Sequence, residues 1–231
     1  VIGTDSDGIP VTVAVGDNQA SFLGSLANKE GVLVNIGTGS QVSVLTDTKS
    51  GFAAGEIRPF SKTENLLVGA PLCGGRSYAL LKSFFEKTLD CFGVTADNIY
   101  SVMDKMAVED TDNCSLSVDT RFCGTRREPD IKGAILQITE DNFTPQQLTR
   151  GFLMGMCREL YAFYEQMEKL TGDKRTHLVG SGNGVRKNKI LQHYLEETFK
   201  MPIEIPANTE EAAFGATVFC QGTLKDGNKG Y

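Results

Sequence analysis

The sequence predicts an α/β domain, a mixed β-sheet flanked by helices, and three observations carry that expectation. Two apolar, β-branched runs at 32–36 and 41–45 flank the turn Gly37-Thr38-Gly39-Ser40, the pattern of an antiparallel hairpin with a glycine loop. A long stretch opened by Pro145 repeats apolar residues at three- and four-residue steps, the spacing of one helical face. Near the end, strand-like and helix-like segments alternate around a glycine cluster. With 231 residues, 40% of them hydrophobic, the chain can bury a substantial core.

The elements follow in order. Residues 11–15 (Val-Thr-Val-Ala-Val) read as a buried strand that delivers Asp17 to its carboxyl end, where sheet proteins keep their ligands. Residues 17–27 follow as a helix capped by Asp17, with Phe22, Leu23 and Leu26 on one face. After the hairpin, the polar, glycine-rich span 47–65 is a surface excursion with a short strand at 56–60. Residues 66–70 are apolar again and lead through Cys73-Gly74-Gly75-Arg76 into a helix with Tyr78, Leu81, Phe84, Phe85 and Leu89 inward. A second helix over 96–106 follows Gly93.

Residues 115–122 alternate in strand fashion and run into the loop Gly124-Thr125-Arg126-Arg127-Glu128-Pro129. The helix from Pro145 buries Leu148, Phe152, Met156, Leu160, Phe163 or Tyr164, and Met167, and Gly172 ends it. A strand at 177–179, a glycine loop at 180–184, a helix at 189–200, a strand at 202–205 and a helix at 210–221 close the domain. Asn208 and Glu211 have capping-box spacing before that last helix. Residues 1–224 are expected to form the domain and 225–231 a polar tail. An opening hairpin joined to later strand-helix units suits the mixed sheet of the ribonuclease-H-like, actin-like ATPase fold.

A formal net charge of −6, with basic runs only at Arg126-Arg127 and Arg186-Lys187, argues against a nucleic-acid or anionic-membrane partner. No apolar stretch approaches the about 20 residues that span a bilayer, and no signal segment leads the chain, so a cytoplasmic protein is expected. The six cysteines form no Cys-x-x-Cys pair and only His177 and His193 could join them, which disfavours zinc and predicts buried free thiols. The sequons Asn113-Cys114-Ser115 and Asn142-Phe143-Thr144 read as chance. The chain starts at Val1 and enters a strand-like run at once, so part of something longer is expected, and a homodimer is one assembly left open.

The chemistry sits in the turns. A Gly-Thr-Gly turn can adopt positive φ and let backbone amides and the Thr38 hydroxyl approach a phosphate. A carboxylate such as Asp17 beside that cradle suggests phosphoryl transfer, although a lone Asp after a strand also serves as a plain helix cap. The cluster Gly180-Ser181-Gly182-Asn183-Gly184, between a strand and a helix, suits a nucleotide-side loop, or a tight turn with no ligand. It imitates a dinucleotide fingerprint with Glu204, but Val185 stands where the third glycine should be. No glycine is followed by Lys and Ser or Thr in the frame of a Walker A loop.

Taken in order, Gly16-Asp17-Asn18-Gln19, Gly37-Thr38-Gly39, Gly124-Thr125-Arg126 with Pro129, Gly180-Ser181-Gly182 and Glu210-Glu211-Ala212-Ala213-Phe214-Gly215-Ala216 closely resemble the carboxyl-terminal domain of the FGGY carbohydrate kinases. Val68 to Arg76 and Gly180-Ser181-Gly182-Asn183 with Arg186-Lys187-Asn188 are most similar to the sedoheptulokinase-like members. The resemblance implies ATP-dependent phosphorylation of a sugar or polyol, with ATP and Mg2+ as cofactors. It implies Asp17 as catalytic base and metal ligand, Gly37, Thr38 and Gly39 around the terminal phosphates, Gly182 and Asn183 along the adenosine, and Asn18 on the sugar. It also implies a missing amino-terminal domain with a second Asp-x-Gly phosphate loop, for which Gly3-Thr4-Asp5-Ser6-Asp7-Gly8 does not stand in, so the fragment alone is expected to be inactive. The rival readings are an actin-like or chaperone-type ATPase without sugar kinase activity and a dinucleotide oxidoreductase.

Overall fold

The computed structural model describes residues 1–25, 30–109 and 116–225. The chain begins with β1 (Gly3–Thr4), β2 (Pro10–Val11) and α1 (Asp17–Ser25), followed by β3 (Gly31–Ile36), β4 (Ser40–Thr46), β5 (Glu56–Pro59) and β6 (Asn65–Gly69). Helices α2 (Gly75–Cys91) and α3 (Ile99–Glu109), strands β7 (Ser117–Asp119) and β8 (Ala134–Leu136) and helix α4 (Pro145–Thr171) come next. Strand β9 (His177–Ser181), helices α5 (Gly182–Lys187) and α6 (Lys189–Phe199), strand β10 (Ile203–Glu204) and helix α7 (Glu211–Lys225) complete it.

A six-stranded sheet in the order β10-β9-β3-β4-β6-β5 forms the centre. Strand β3 runs parallel to β9, and β9 to β10, whereas β3, β4, β6 and β5 pair antiparallel, so the sheet is mixed as expected. The central strands carry adjacent apolar residues, such as 32–34 and 66–68, because both faces of the sheet are covered. Val32, Val34, Ile36, Val42, Val44, Leu67 and Leu178 face the large cluster built on α4. The alternate residues Leu33, Leu45, Leu66, Val68 and Val179 close on Phe22 of α1 and on Phe60.

Helix α4 follows its sequence signals closely. Thr144 Oγ1 accepts from Gln147 N at 3.2 Å, Pro145 occupies the first turn, and Gly172 (φ 73°) ends the helix in the left-handed region. Leu148, Phe152, Met156, Leu160, Tyr164 and Met167 are buried, with Tyr164 rather than Phe163 on the core face. In α2, Tyr78 and Leu81 are buried while Phe84 stands 53% exposed.

Four expectations are corrected. Residues 12–15 form no strand, and β2 pairs only with β1 through Gly3↔Val11 and Thr4↔Pro10. No strand of the central sheet lies beside this run, and Val11 and Val13 are exposed, so β propensity finds no ladder to complete. Within 115–122 only Ser117–Asp119 is a strand, paired with the unforeseen β8; Ser115 lies outside the described residues. The glycine loop at 180–184 is instead the end of β9 and the start of α5. Lys225 belongs to α7, and the rest of the expected tail, like Leu26 and the sequon at Asn113, lies outside the described residues. The second sequon is no acceptor site: Asn142 is buried, accepting from Thr139 N and donating to Gln137 O at 2.8 Å each.

Helix α1 is held by α7 through backbone contact. A Cβ on Gly24 would overlap Glu211 O, and one on Gly215 would overlap Ala20 O, so both crossing positions require the absence of a side chain. Gly215→Ala should therefore cost about 1–3 kcal/mol of stability, the usual cost of overpacking. Urea titration reads this directly; an unshifted midpoint would show that the two backbones do not need this contact.

Candidate active site

Parallel pairing brings the carboxyl ends of β3 and β9 together at Asn35↔Ser181, and Asn35 Nδ2 donates to Ser181 Oγ at 2.8 Å. From there β3 turns through Gly37-Thr38-Gly39 into β4, with Gly37 N donating to Gly39 O at 3.0 Å. Neither glycine uses positive φ, which corrects the conformational argument for them. Their bareness serves space instead: a Cβ on either would meet no protein atom within 4 Å, so the backbone is open to whatever occupies the cleft beyond it.

Two helix starts grip the other side of this turn. Arg76 N donates to Thr38 O at 3.0 Å, and Gly74 (φ 42°) packs so tightly that a Cβ would overlap the Gly39 carbonyl carbon and Ser40 N. A Cβ on Gly75 would overlap Gly37 O. From α5, Gly182 (φ 81°) and Gly184 close on Ile36 O, where a Cβ would stand at 2.6 Å and 2.7 Å. Behind these helices a polar cluster fixes their spacing: Tyr78 OH and Asn188 Nδ2 both donate to Asp104 Oδ1, at 2.9 Å and 2.7 Å. Burial pushes the Asp104 carboxyl above the usual range and the Tyr78 phenol upward too.

Facing the hairpin, Asp17 opens α1 and is exposed. Its Oδ1 accepts from Asn18 N at 2.7 Å. A capping side chain takes an amide two or three residues on, so Asp17 does not act as the expected cap. Asn18 is 9% exposed, and its Oδ1 is buried without a hydrogen-bond partner. Asp17, Asn18 and Ser21, the residues 37–41 and Arg58 line a cleft of about 520 Å³ in which Asp17 is the single carboxylate. Arg58 Nε and Nη2 donate to Glu56 Oε2 at 3.0 Å and 2.8 Å, while Glu56 Oε1 pairs with Arg126.

The helix that carries Asp17 is tied back to α5. Arg186 Nη1 donates to Pro206 O at 2.7 Å, and Nη2 reaches Asn208 O and, at 2.5 Å, Glu211 Oε1 at the start of α7. Glu211 thus serves an ion pair, where sequence spacing suggested a capping box. The structure unites Asp17, Asn18, Gly37, Thr38 and Gly39 in one cleft; Gly182 and the exposed Asn183 lie beside the hairpin and do not line it. Sequence reasoning missed Arg58, whose only local signal was its place on the short strand of the polar excursion. Among the described residues, no group of three or more His, Cys, Asp or Glu is placed to hold a metal ion, and no helix is long and apolar enough to cross a membrane.

A mixed sheet flanked by helices, with its glycine hairpin facing an acidic helix start, defines an α/β domain of the actin-like ATPase fold. Residues 32–221 match the FGGY family of carbohydrate kinases, C-terminal domain, and the chain belongs to that family. It is 24% identical over 230 residues to sedoheptulokinase of Homo sapiens, covering 94% of this chain and 47% of that protein. Ligand-bound xylulose kinase from Lactobacillus acidophilus superposes with a TM-score of 0.80 at 19% identity, over 96% of this chain and 44% of that one. Glycerol kinase from Plasmodium falciparum with ADP gives 0.75 at 19% identity, over 94% and 44%. The chain spans about half the length of the curated relatives it matches.

Because a side chain at position 39 meets no protein atom, Gly39→Val should fold normally and instead obstruct the cleft. If the hairpin holds the phosphate end of a nucleotide, nucleotide affinity of the full-length protein should fall roughly tenfold or more, equal to at least about 1.4 kcal/mol, with sugar affinity kept. Calorimetric titration of each ligand separates these outcomes, and equal loss of both would reject the hairpin as a phosphate site.

Proposed function

We propose that this chain is the nucleotide-binding half of an ATP-dependent carbohydrate kinase that phosphorylates a hydroxyl of a sugar or polyol, a ketose such as sedoheptulose being one candidate. The observation that carries the reading is the exposed Asp17 carboxylate sharing one cleft with the unobstructed backbone of Gly37 and Gly39. Membership in the FGGY family supports it. The protein is cytoplasmic in this reading, and residues 1–224 act as one domain.

Phosphoryl transfer needs positioning and charge stabilisation more than covalent help. Thr38 and the bare backbone of the turn hold the phosphate end. Asp17 takes the proton from the attacking hydroxyl, as the carboxylate that shares the cleft with the hairpin. Asn18, which lines the cleft beside Asp17, contacts the sugar. Gly182 and Asn183 stand beside the hairpin on the side assigned to the adenosine. Asp17 would hold a magnesium ion, which would supply positive charge against the phosphates; the cleft fits such an ion in offering one carboxylate and room for water, the usual protein share at such sites. An amino-terminal domain supplies the second phosphate loop and most sugar contacts, so the isolated chain turns over no sugar.

Asp17→Asn keeps an acceptor for Asn18 N and removes the base. In the full-length enzyme it should fold and bind both substrates with kcat reduced on the order of 10²–10⁴-fold. Steady-state kinetics with matched circular dichroism decide it: retention of more than about a tenth of the parent kcat would make Asp17 a structural residue.

A further inference from the structure

Cys73 in the loop before α2 and Cys123 in the loop after β7 come from distant parts of the chain, yet their Sγ atoms lie 3.7 Å apart. Both are free thiols; Cys73 is 2% exposed and Cys123 is open to solvent. A reagent in solution therefore reaches one sulfur, and that sulfur reaches the other. Arg76 Nη1 lies 3.8 Å from Cys123 Sγ, so the pair borders the helix start that grips the hairpin.

We propose that Cys73 and Cys123 form a reversible disulfide under small-molecule disulfide oxidants, and that closing it weakens nucleotide binding at the Gly37-Thr38-Gly39 hairpin. In the first step Cys123 gives up its proton and its sulfur attacks one sulfur of R–S–S–R, expelling a thiolate that is protonated to R–SH. In the second, Cys73 loses its proton, attacks Cys123 Sγ and expels the other R–S⁻, which also becomes R–SH. Two protein thiols lose two electrons and two protons, and the oxidant is reduced to two thiols. Burial pushes the Cys73 thiol up to about 11, which slows the second step at neutral pH and lets the mixed disulfide on Cys123 accumulate first.

The link to the hairpin is geometric. The sulfurs must close from 3.7 Å to about 2.05 Å. Cys73 has little slack: its carbonyl accepts from Arg76 N at 2.8 Å, and the next residue, Gly74, has no room against Gly39 and Ser40. Cys123 is no freer, since Gly124 (φ 70°) sits against the Pro129 backbone. Closing the bond therefore shifts the backbone on which the hairpin rests. The effect on nucleotide rests on the hairpin being the phosphate site; formation of the bond does not.

The experiment treats the full-length enzyme with oxidised glutathione and maps its peptides without reduction. The expected result is a Cys73–Cys123 cross-linked peptide, a protein mass lower by two hydrogens, and reversal by dithiothreitol. Cys123→Ser should lose the cross-link, and Cys73→Ser should stop at a glutathione adduct on Cys123. Nucleotide titration of the oxidised enzyme should show affinity weaker by about threefold or more, the lower end of what a shared backbone shift transmits, while treated Cys123→Ser keeps its affinity. A wild-type protein that stays as the glutathione adduct, or whose Cys73 is alkylated on unfolding, overturns the disulfide. A cross-link with unchanged affinity overturns its effect on the hairpin. Reduced enzyme that binds no nucleotide would instead count against the hairpin as a phosphate site, and the peptide map would still judge the disulfide.

Discussion

The backbone of residues 36–39 is touched directly by backbone from two helix starts, and much of the molecule is arranged to permit that contact. Gly74 and Gly75 close on it from α2, and Gly182 and Gly184 from α5. A side chain at any of these positions would push a helix away by more than the fraction of an ångström that packed interiors tolerate. The gain is rigidity at a turn that has no side chains of its own to anchor it beyond Thr38. Helices α2 and α5 are themselves spaced by the half-buried Asp104, which accepts from Tyr78 on one side and Asn188 on the other. Removing that acceptor would leave two donors unpaired in the interior, a larger penalty than the bonds themselves are worth.

Charge completes the circuit back to Asp17. The Arg186–Glu211 pair leaves only 15% and 10% of the two side chains exposed, so it bears a desolvation cost that surface pairs avoid. Two carbonyl acceptors on Pro206 and Asn208 offset part of that cost and fix where α7 starts. Helix α7 then meets α1 through Gly24 and Gly215. The carboxylate of Asp17 and the turn it faces are in this way positioned by one connected set of close contacts, although the two lie on separate elements. Glu56 has a comparable role at the other wall, where it holds Arg58 at the cleft and Arg126 at a neighbouring cavity of about 540 Å³.

The parts of the fold legible in the sequence were those with a local physical signature. The hairpin of β3 and β4 announced itself through β-branched runs around a glycine turn, and α4 through its 3.6-residue period, its Pro145 and its Gly172. The run at 11–15 misled because propensity describes a residue's fitness for a strand and says nothing of whether a neighbour is present. Helix α5 was hidden because Gly-Asn-Gly reads as loop by composition, whereas here it is packing on Ile36 that demands glycine and the helix follows from that packing. Strand β8 was too short to show a period, and the alternation at 115–122 outran β7, where only Ser117–Asp119 has a partner strand. In the cleft, Asp17 and the hairpin stood out as a carboxylate after a strand-like run and a glycine turn, whereas Asn18 was singled out only by the family resemblance. Arg58 was not, because only the antiparallel pairing of β5 with β6 carries it to the cleft.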